Sequence, residues 1–215
     1  MSIHTDIRLP IEMLEGVIDQ ASDNPVSLRR LSLTCITLLS RCRYHLFSCL
    51  VIRTVQRLEA FPGFLDSSPW LAPLVWKVTL FAILRDHSKR NVPLFDIFPV
   101  HLLTRLPNLR TWTMEAVDGK FASIVPSLSL HHSALRYYRK HSKHIRSLEL
   151  SFVIFYSLSD FKRLVSAFTG LDSLTCYDIG FQLEKAPHPL TAGTVARNFR
   201  PPQISTLKVS QPYIY

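Results

Sequence analysis

The sequence predicts a mixed α/β chain in which a small N-terminal helical module precedes a short, irregular solenoid of strand, loop and helix units. Two observations predict it. Apolar residues recur at three- and four-residue steps from Ile11 to Cys42, the spacing of helices that each carry one apolar stripe. From Val78 onward, short apolar-x-apolar cores beginning at Val78, Trp112, Leu148, Leu174 and Leu207 return at steps of roughly 26 to 36 residues. That is the period of stacked units, each burying one face against its neighbours.

The first helix is expected to open at Pro10, since a proline loses nothing in the first turn, where the N–H has no partner. Ile11, Leu14, Ile18 and Ala21 supply its stripe, and Glu12 and Glu15 lie where the helix dipole favours negative charge. Asn24 and Pro25 read as the cap and first residue of a second helix. Leu28, Leu31 and Cys35 make the next stripe, and Leu38, Leu39 and Cys42 prolong it after a bend. Cys35, Cys42 and Cys49 stand seven apart, near one stripe, and free buried thiols are the expectation for them. A helical unit this small has little core of its own and calls for a partner or a neighbouring domain. The expected division is a helical domain at 5–50 and a repeat domain at 51–215.

Beyond it, "CLVIRTV" (49–55) reads as a strand because of its β-branched residues. "FPGFLDSSPWLAP" reads as a turn-rich stretch. Further strands are expected in "WKVTL" (76–80), "LRTWTM" (109–114), "IRSLEL" (145–150), "LDSLTC" (171–176) and "ISTLKV" (204–209). Helical pieces fall between them: "FPVHLLTRL", "SALRYYRKHSKH", and "LSDFKRLVSAF" with Ser159 or Asp160 as its cap. Trp70, Trp76 and Trp112 are expected in the core or between units. "SQPYIY" follows the last strand without the polar cap a solenoid usually carries, which suggests a truncated C terminus.

Composition narrows the function. The apolar fraction of 47% is that of a chain with a buried core. The first residues carry Asp6 and Arg8 without an apolar run, and Arg41, Arg43 and His45 interrupt the most apolar stretch. Neither a secretory signal nor a membrane span is expected, and cytoplasm or nucleus is the expected location. No P-loop, G-x-G-x-x-G, G-x-S-x-G or H-E-x-x-H occurs, so no catalytic residues and no cofactor are assigned. His131, His132, His141 and His144 lack the neighbouring carboxylates or thiols of a metal site, and no metal is assigned.

The net charge of +9 is uneven. The first 60 residues carry seven Lys or Arg against six Asp or Glu, so the excess lies in the remainder. "RYYRKHSKHIR" (136–146) holds Arg136, Arg139, Lys140, Lys143 and Arg146 with no acid among them. These five are a candidate patch for an acidic or phosphorylated partner. Nucleic acid, held by phosphate contact and by stacking on Tyr137 and Tyr138, is the weaker expectation.

Leu9-Pro10 with Glu12, Ile18, Asp23 followed by Leu28, "LSLTC" at 31–35 and Arg43 with "HLF" at 45–47 together resemble an F-box of fungal type. "LPNLRTWTM", "IRSLEL" and "FTGLDSLTC" resemble the L-x-x-L-x-L phrase of leucine-rich repeats, and the combined resemblance spans nearly the whole chain. The resemblance implies a substrate-recognition adaptor that docks on the Skp adaptor of a cullin ubiquitin ligase and presents a repeat surface to a target protein. It carries adaptor contact to Leu9, Pro10, Ile11, Leu14, Ile18, Leu28 and Leu31. Where the family often places a tryptophan after the cysteine, Ile36, Thr37 and Leu38 stand. The alternative is therefore a basic nucleic-acid-binding or structural interaction protein with a degenerate F-box.

Overall fold

The computed structural model describes residues 10–82, 96, 98–116, 128, 130–181 and 204–210. It divides into two compact units, Met1–Cys49 and Leu50–Tyr215. The first holds three helices: α1 (Ile11–Gln20), α2 (Pro25–Thr34) and α3 (Ile36–Ser48). Asn24 caps α2, its side-chain oxygen accepting the N–H groups of Val26 and Ser27 at 3.1 Å each, and Pro25 takes the first helical position. The helices close on Ile18, Leu28, Leu38 and Cys42, with Leu14, Ala21, Leu31 and Leu46 packed against them.

The cysteine stripe does not form. Cys35 is extended, at φ −152° and ψ 140°, and separates α2 from α3. The helical phase is lost there, and Cys49 lies past the end of α3 in extended backbone, so Cys35 and Cys49 are exposed while Cys42 is buried.

In the second unit a strand at the boundary, β1 (Cys49–Ile52), leads to α4 (Val55–Ser67) and a 3₁₀ turn at Pro69–Leu74. Then come β2 (Lys77–Ala82), a π turn at Pro99–Leu103, β3 (Thr111–Ala116) and α5 (His132–His141). The chain continues through β4 (Ser147–Ser151), β5 (Ile154–Phe155), α6 (Leu158–Ala167), β6 (Ser173–Tyr177), β7 (Gly180–Phe181) and β8 (Thr206–Ser210).

This architecture corrects the expected fold class. In place of a helical module followed by an irregular leucine-rich-repeat-like solenoid, the chain builds a six-stranded central sheet with flanking helices, an α/β arrangement. The sheet order is β1-β2-β3-β4-β6-β8, and the pairings from β2 through β8 are parallel and in register. The apolar-x-apolar cores were located correctly, but a recurring strand–helix period is shared by stacked repeats and by crossovers within one sheet. The strands keep chain order. Doubly wound nucleotide-binding sheets instead reverse theirs, and the reversal opens their ligand crevice.

Chain order has a second consequence. Right-handed crossovers that always advance in one direction place their connections on one face. Burial agrees. Val78, Leu80, Trp112, Met114, Leu148, Leu150, Leu174 and Cys176 form one buried face. Trp112 is its centre, with ring centroids of Phe98, Tyr138 and Phe168 at 5.8, 4.6 and 4.9 Å. The alternate residues are mostly polar, as in a sheet with one face on the core, although Thr79, Thr111 and Thr113 among them are buried.

Three local readings also change. The stretch read as turn-rich is mostly α4, with Pro62 inside it. Thr54 caps that helix by accepting the N–H of Arg57, and burial of Leu58 and Leu65 holds it despite the proline. Only Trp112 of the three tryptophans is core; Trp70 and Trp76 are exposed. Ser157 caps α6, accepting the N–H of Asp160 at 3.2 Å while its hydroxyl donates to that carboxylate at 2.9 Å. Asp160 is the reciprocal partner rather than the cap.

Candidate interaction surfaces

In the helical unit, the residues assigned to adaptor contact separate into three sets. Leu9 lies outside the described residues. Ile18 and Leu28 are each 1% exposed, so they are corrected from contact residues to core: their side chains fill the unit's own interior. Leu14 and Leu31 are half-buried against that core, while Pro10 and Ile11 are exposed. The structure adds Met13, Val17 and Val26 as large exposed apolar side chains, with Leu33 and Ile36 at 87% and 85% on either side of the α2–α3 break. Met13 and Val17 are one helical turn apart and share a stripe. Periodicity missed them because they fall off the core-facing spacing, and only the packed unit tells a core stripe from a free one.

An ion network ties α1 to α3. Arg41 donates to both oxygens of Asp19, Nε to Oδ1 at 2.8 Å and Nη2 to Oδ2 at 2.7 Å, and His45 Nε2 lies 2.7 Å from Oδ1. The hydrogen bonds from Arg41, then His45, hold the Asp19 carboxyl well below the usual carboxylate range.

In the second unit the polar sheet face runs in rows. Lys77, Thr111, Ser147, Ser173 and Thr206 form one, and Thr79, Thr113, Glu149, Thr175 and Lys208 the next. Glu149 accepts from Lys77 Nζ at 2.8 Å and from Thr113 Oγ1 at 2.7 Å. Burial raises the Glu149 carboxyl, but these two donors outweigh it and the net shift is downward. Thr79, Thr111 and Thr113 are buried on this face, and the Thr113 hydroxyl is taken up by Glu149. His131 Nδ1 lies 2.6 Å from Ser133 Oγ, yet it also accepts the Ser133 N–H at the start of α5. The pair reads as a helix cap and not as an activated nucleophile.

Of the basic residues of 136–146, Arg136, Arg139 and Lys140 share one face of α5, and Lys143 and Arg146 follow beyond its end. Arg136, Arg139, Lys140, Lys143 and Arg146 are all exposed. Arg136, Arg139, Lys140 and Lys143 have no ion-pair partner among the described residues, whereas Arg146 pairs with Asp172 at 3.5 Å and donates to the Gly170 carbonyl at 3.3 Å. Arg146 therefore leans toward a structural part. Tyr138 is buried behind the stripe, and Tyr137 stays at the surface, its ring 5.0 Å from His141. Burial and then Arg110 push the His144 imidazole down, which opposes protonation there. No group of three or more metal-ligating side chains occurs among the described residues, and no helix among them is long and apolar enough to cross a membrane.

No protein-family model matches the chain, and neither a curated protein nor a solved structure does.

Proposed function

We propose that the chain is a non-catalytic adaptor whose helical unit docks, F-box-like, on the Skp adaptor of a cullin ubiquitin ligase, in the cytoplasm or nucleus. The observation that carries this reading is the pair of exposed apolar side chains Met13 and Val17, one turn apart on a helix whose Leu14, Ile18 and Ala21 stripe already supplies the unit's core. Clustered exposed apolar groups beside a completed core are the mark of a docking face. The second unit then presents its surface to a target protein. Arg136, Arg139, Lys140 and Lys143, unpaired among the described residues, favour an acidic or phosphorylated target. The mechanism is proximity: a target held near a ubiquitin-loaded partner reacts at raised effective concentration, without chemistry by this chain.

Co-expression with a Skp adaptor followed by size exclusion tests the reading. A one-to-one complex is expected for the parent chain, and Met13→Glu with Val17→Glu is expected to abolish it while leaving the circular dichroism spectrum unchanged. A folded parent chain that elutes alone overturns the proposal. The nucleic-acid alternative then takes precedence, and a steep fall of RNA or DNA affinity with salt is its signature.

A further inference from the structure

The last strand of the sheet, β8, has β6 as its strand partner and no second one among the described residues. Its Leu207 and Val209 stand in register with Leu174 and Cys176, in the rows that are buried from β2 through β6. On β8 the same rows are open, with Leu207 62% and Val209 67% exposed. Between them Lys208 extends the row Thr79, Thr113, Glu149, Thr175. The one carboxylate in that row, Glu149, is already engaged by Lys77 and Thr113, and Lys208 has no ion-pair partner among the described residues.

We propose that β8 is a docking edge for an extended segment of a partner protein, one that places apolar side chains beside Leu207 and Val209 and an acidic side chain beside Lys208. Three features select this occupant. An edge strand presents main-chain N–H and C=O groups that an added strand satisfies and a helix does not. The apolar row stops abruptly at Leu207 and Val209, so alternate side chains of a new strand continue it. The charge of Lys208 favours an acid at the intervening position, because side chains alongside each other on neighbouring strands interact directly. A second copy of this chain fits poorly. A two-fold β8–β8 pairing centred on Lys208 sets that lysine against itself.

This inference is independent of the adaptor reading, and its assay contains no Skp adaptor. The probe is a short fluorescein-labelled peptide in which valine alternates with threonine and the central threonine is replaced by glutamate. A second peptide carries lysine there. Fluorescence anisotropy with the full chain is expected to show binding of the glutamate peptide, with the lysine peptide weaker by roughly tenfold. Lys208→Glu is expected to reverse that order. Leu207→Thr with Val209→Thr, which keeps strand-favouring side chains, is expected to weaken the glutamate peptide by roughly tenfold or more. Equal binding of both peptides, no binding at the solubility limit, or an unchanged order in Lys208→Glu overturns the proposal. So does hydrogen exchange showing slow β8 edge amides in the free chain, since the edge is then already covered. A dimer in sedimentation that the double threonine variant dissolves and the glutamate peptide does not assigns the edge to self-association instead.

Discussion

The two units divide their apolar residues between core and surface in different proportions. The helical unit closes on four buried residues, Ile18, Leu28, Leu38 and Cys42, and leaves Ile11, Met13, Val17, Val26, Leu33 and Ile36 exposed. The sheet unit buries its apolar face around Trp112 and the rings of Phe98, Tyr138 and Phe168. A small helical core, close to the lower limit for independent stability, gains from a partner. The sheet unit has the larger core, with Trp112, Tyr138, Phe98, Phe155 and Phe168 fully buried in it. Exposed apolar side chains occur in both units, Leu207 and Val209 of β8 among them, but in the helical unit they outnumber the buried ones.

The sharpest way to break this contrast is Trp112→Ala. Removing the central ring of a packed cluster is expected to cost about 3–5 kcal/mol, read as a lower midpoint in denaturant unfolding followed by circular dichroism. All three tryptophans, Trp70, Trp76 and Trp112, belong to the sheet unit. Their fluorescence in the parent chain therefore reports that unit alone, and a helical unit that melts separately is silent in it.

Gly170→Ala is expected to come next, at roughly 1–3 kcal/mol. A Cβ there runs into the Lys143 carbonyl, with the Lys143 carbonyl carbon at 3.1 Å and the Ile145 oxygen at 3.5 Å. These are backbone atoms that cannot swing aside as a side chain can. A parent-like thermal midpoint for this variant would show that the Gly170 turn yields.

In the helical unit, Asn24→Ala removes the acceptor for two N–H groups and is expected to cost about 1 kcal/mol. The loss is to be followed by far-ultraviolet circular dichroism with tryptophan emission unchanged. A matching change in emission would mean that the units unfold as one.

The smallest expected effect is in pH dependence. The Glu149 carboxyl is held below its ordinary value in the folded state. Its contribution is therefore present above the ordinary glutamate range and fades as pH falls through the lowered one. Glu149→Gln is expected to flatten the acid limb of sheet-unit stability, monitored by tryptophan emission against pH. A limb as steep as the parent's removes the assignment.

Much of the sheet was legible in the sequence. Val78, Trp112, Leu148, Leu174 and Leu207 mark five of its six strands, because alternation of apolar and polar side chains survives wherever one face is buried. Asn24-Pro25 likewise announced α2. What misled was long-range. Nothing in a strand–helix period says whether successive strands share one sheet, so the solenoid reading failed on pairing and not on element identity. Pro62 and Gly63 read as a turn, yet Leu58 and Leu65 anchor α4 through them. Trp70 and Trp76 show the same limit: size predicts core, but only packing decides it. At the candidate docking face, Ile18 and Leu28 matched the helical period best and for that reason belong to the interior. Met13 and Val17 stand off the period and remain free.

The tie at Glu149 has a mechanical side. Its carboxylate takes one donor from β2 and one from β3 while standing on β4, so three neighbouring strands are cross-linked at a single atom, Oε2. A slip of any one strand by a residue turns its side chains to the other face and breaks the link. The clamp therefore resists sliding along the strand axis, the direction in which main-chain ladders alone can re-form one step over. Tension passed into the sheet through a bound partner would meet its stiffest resistance at these three strands, and the outer strand β8 would yield first.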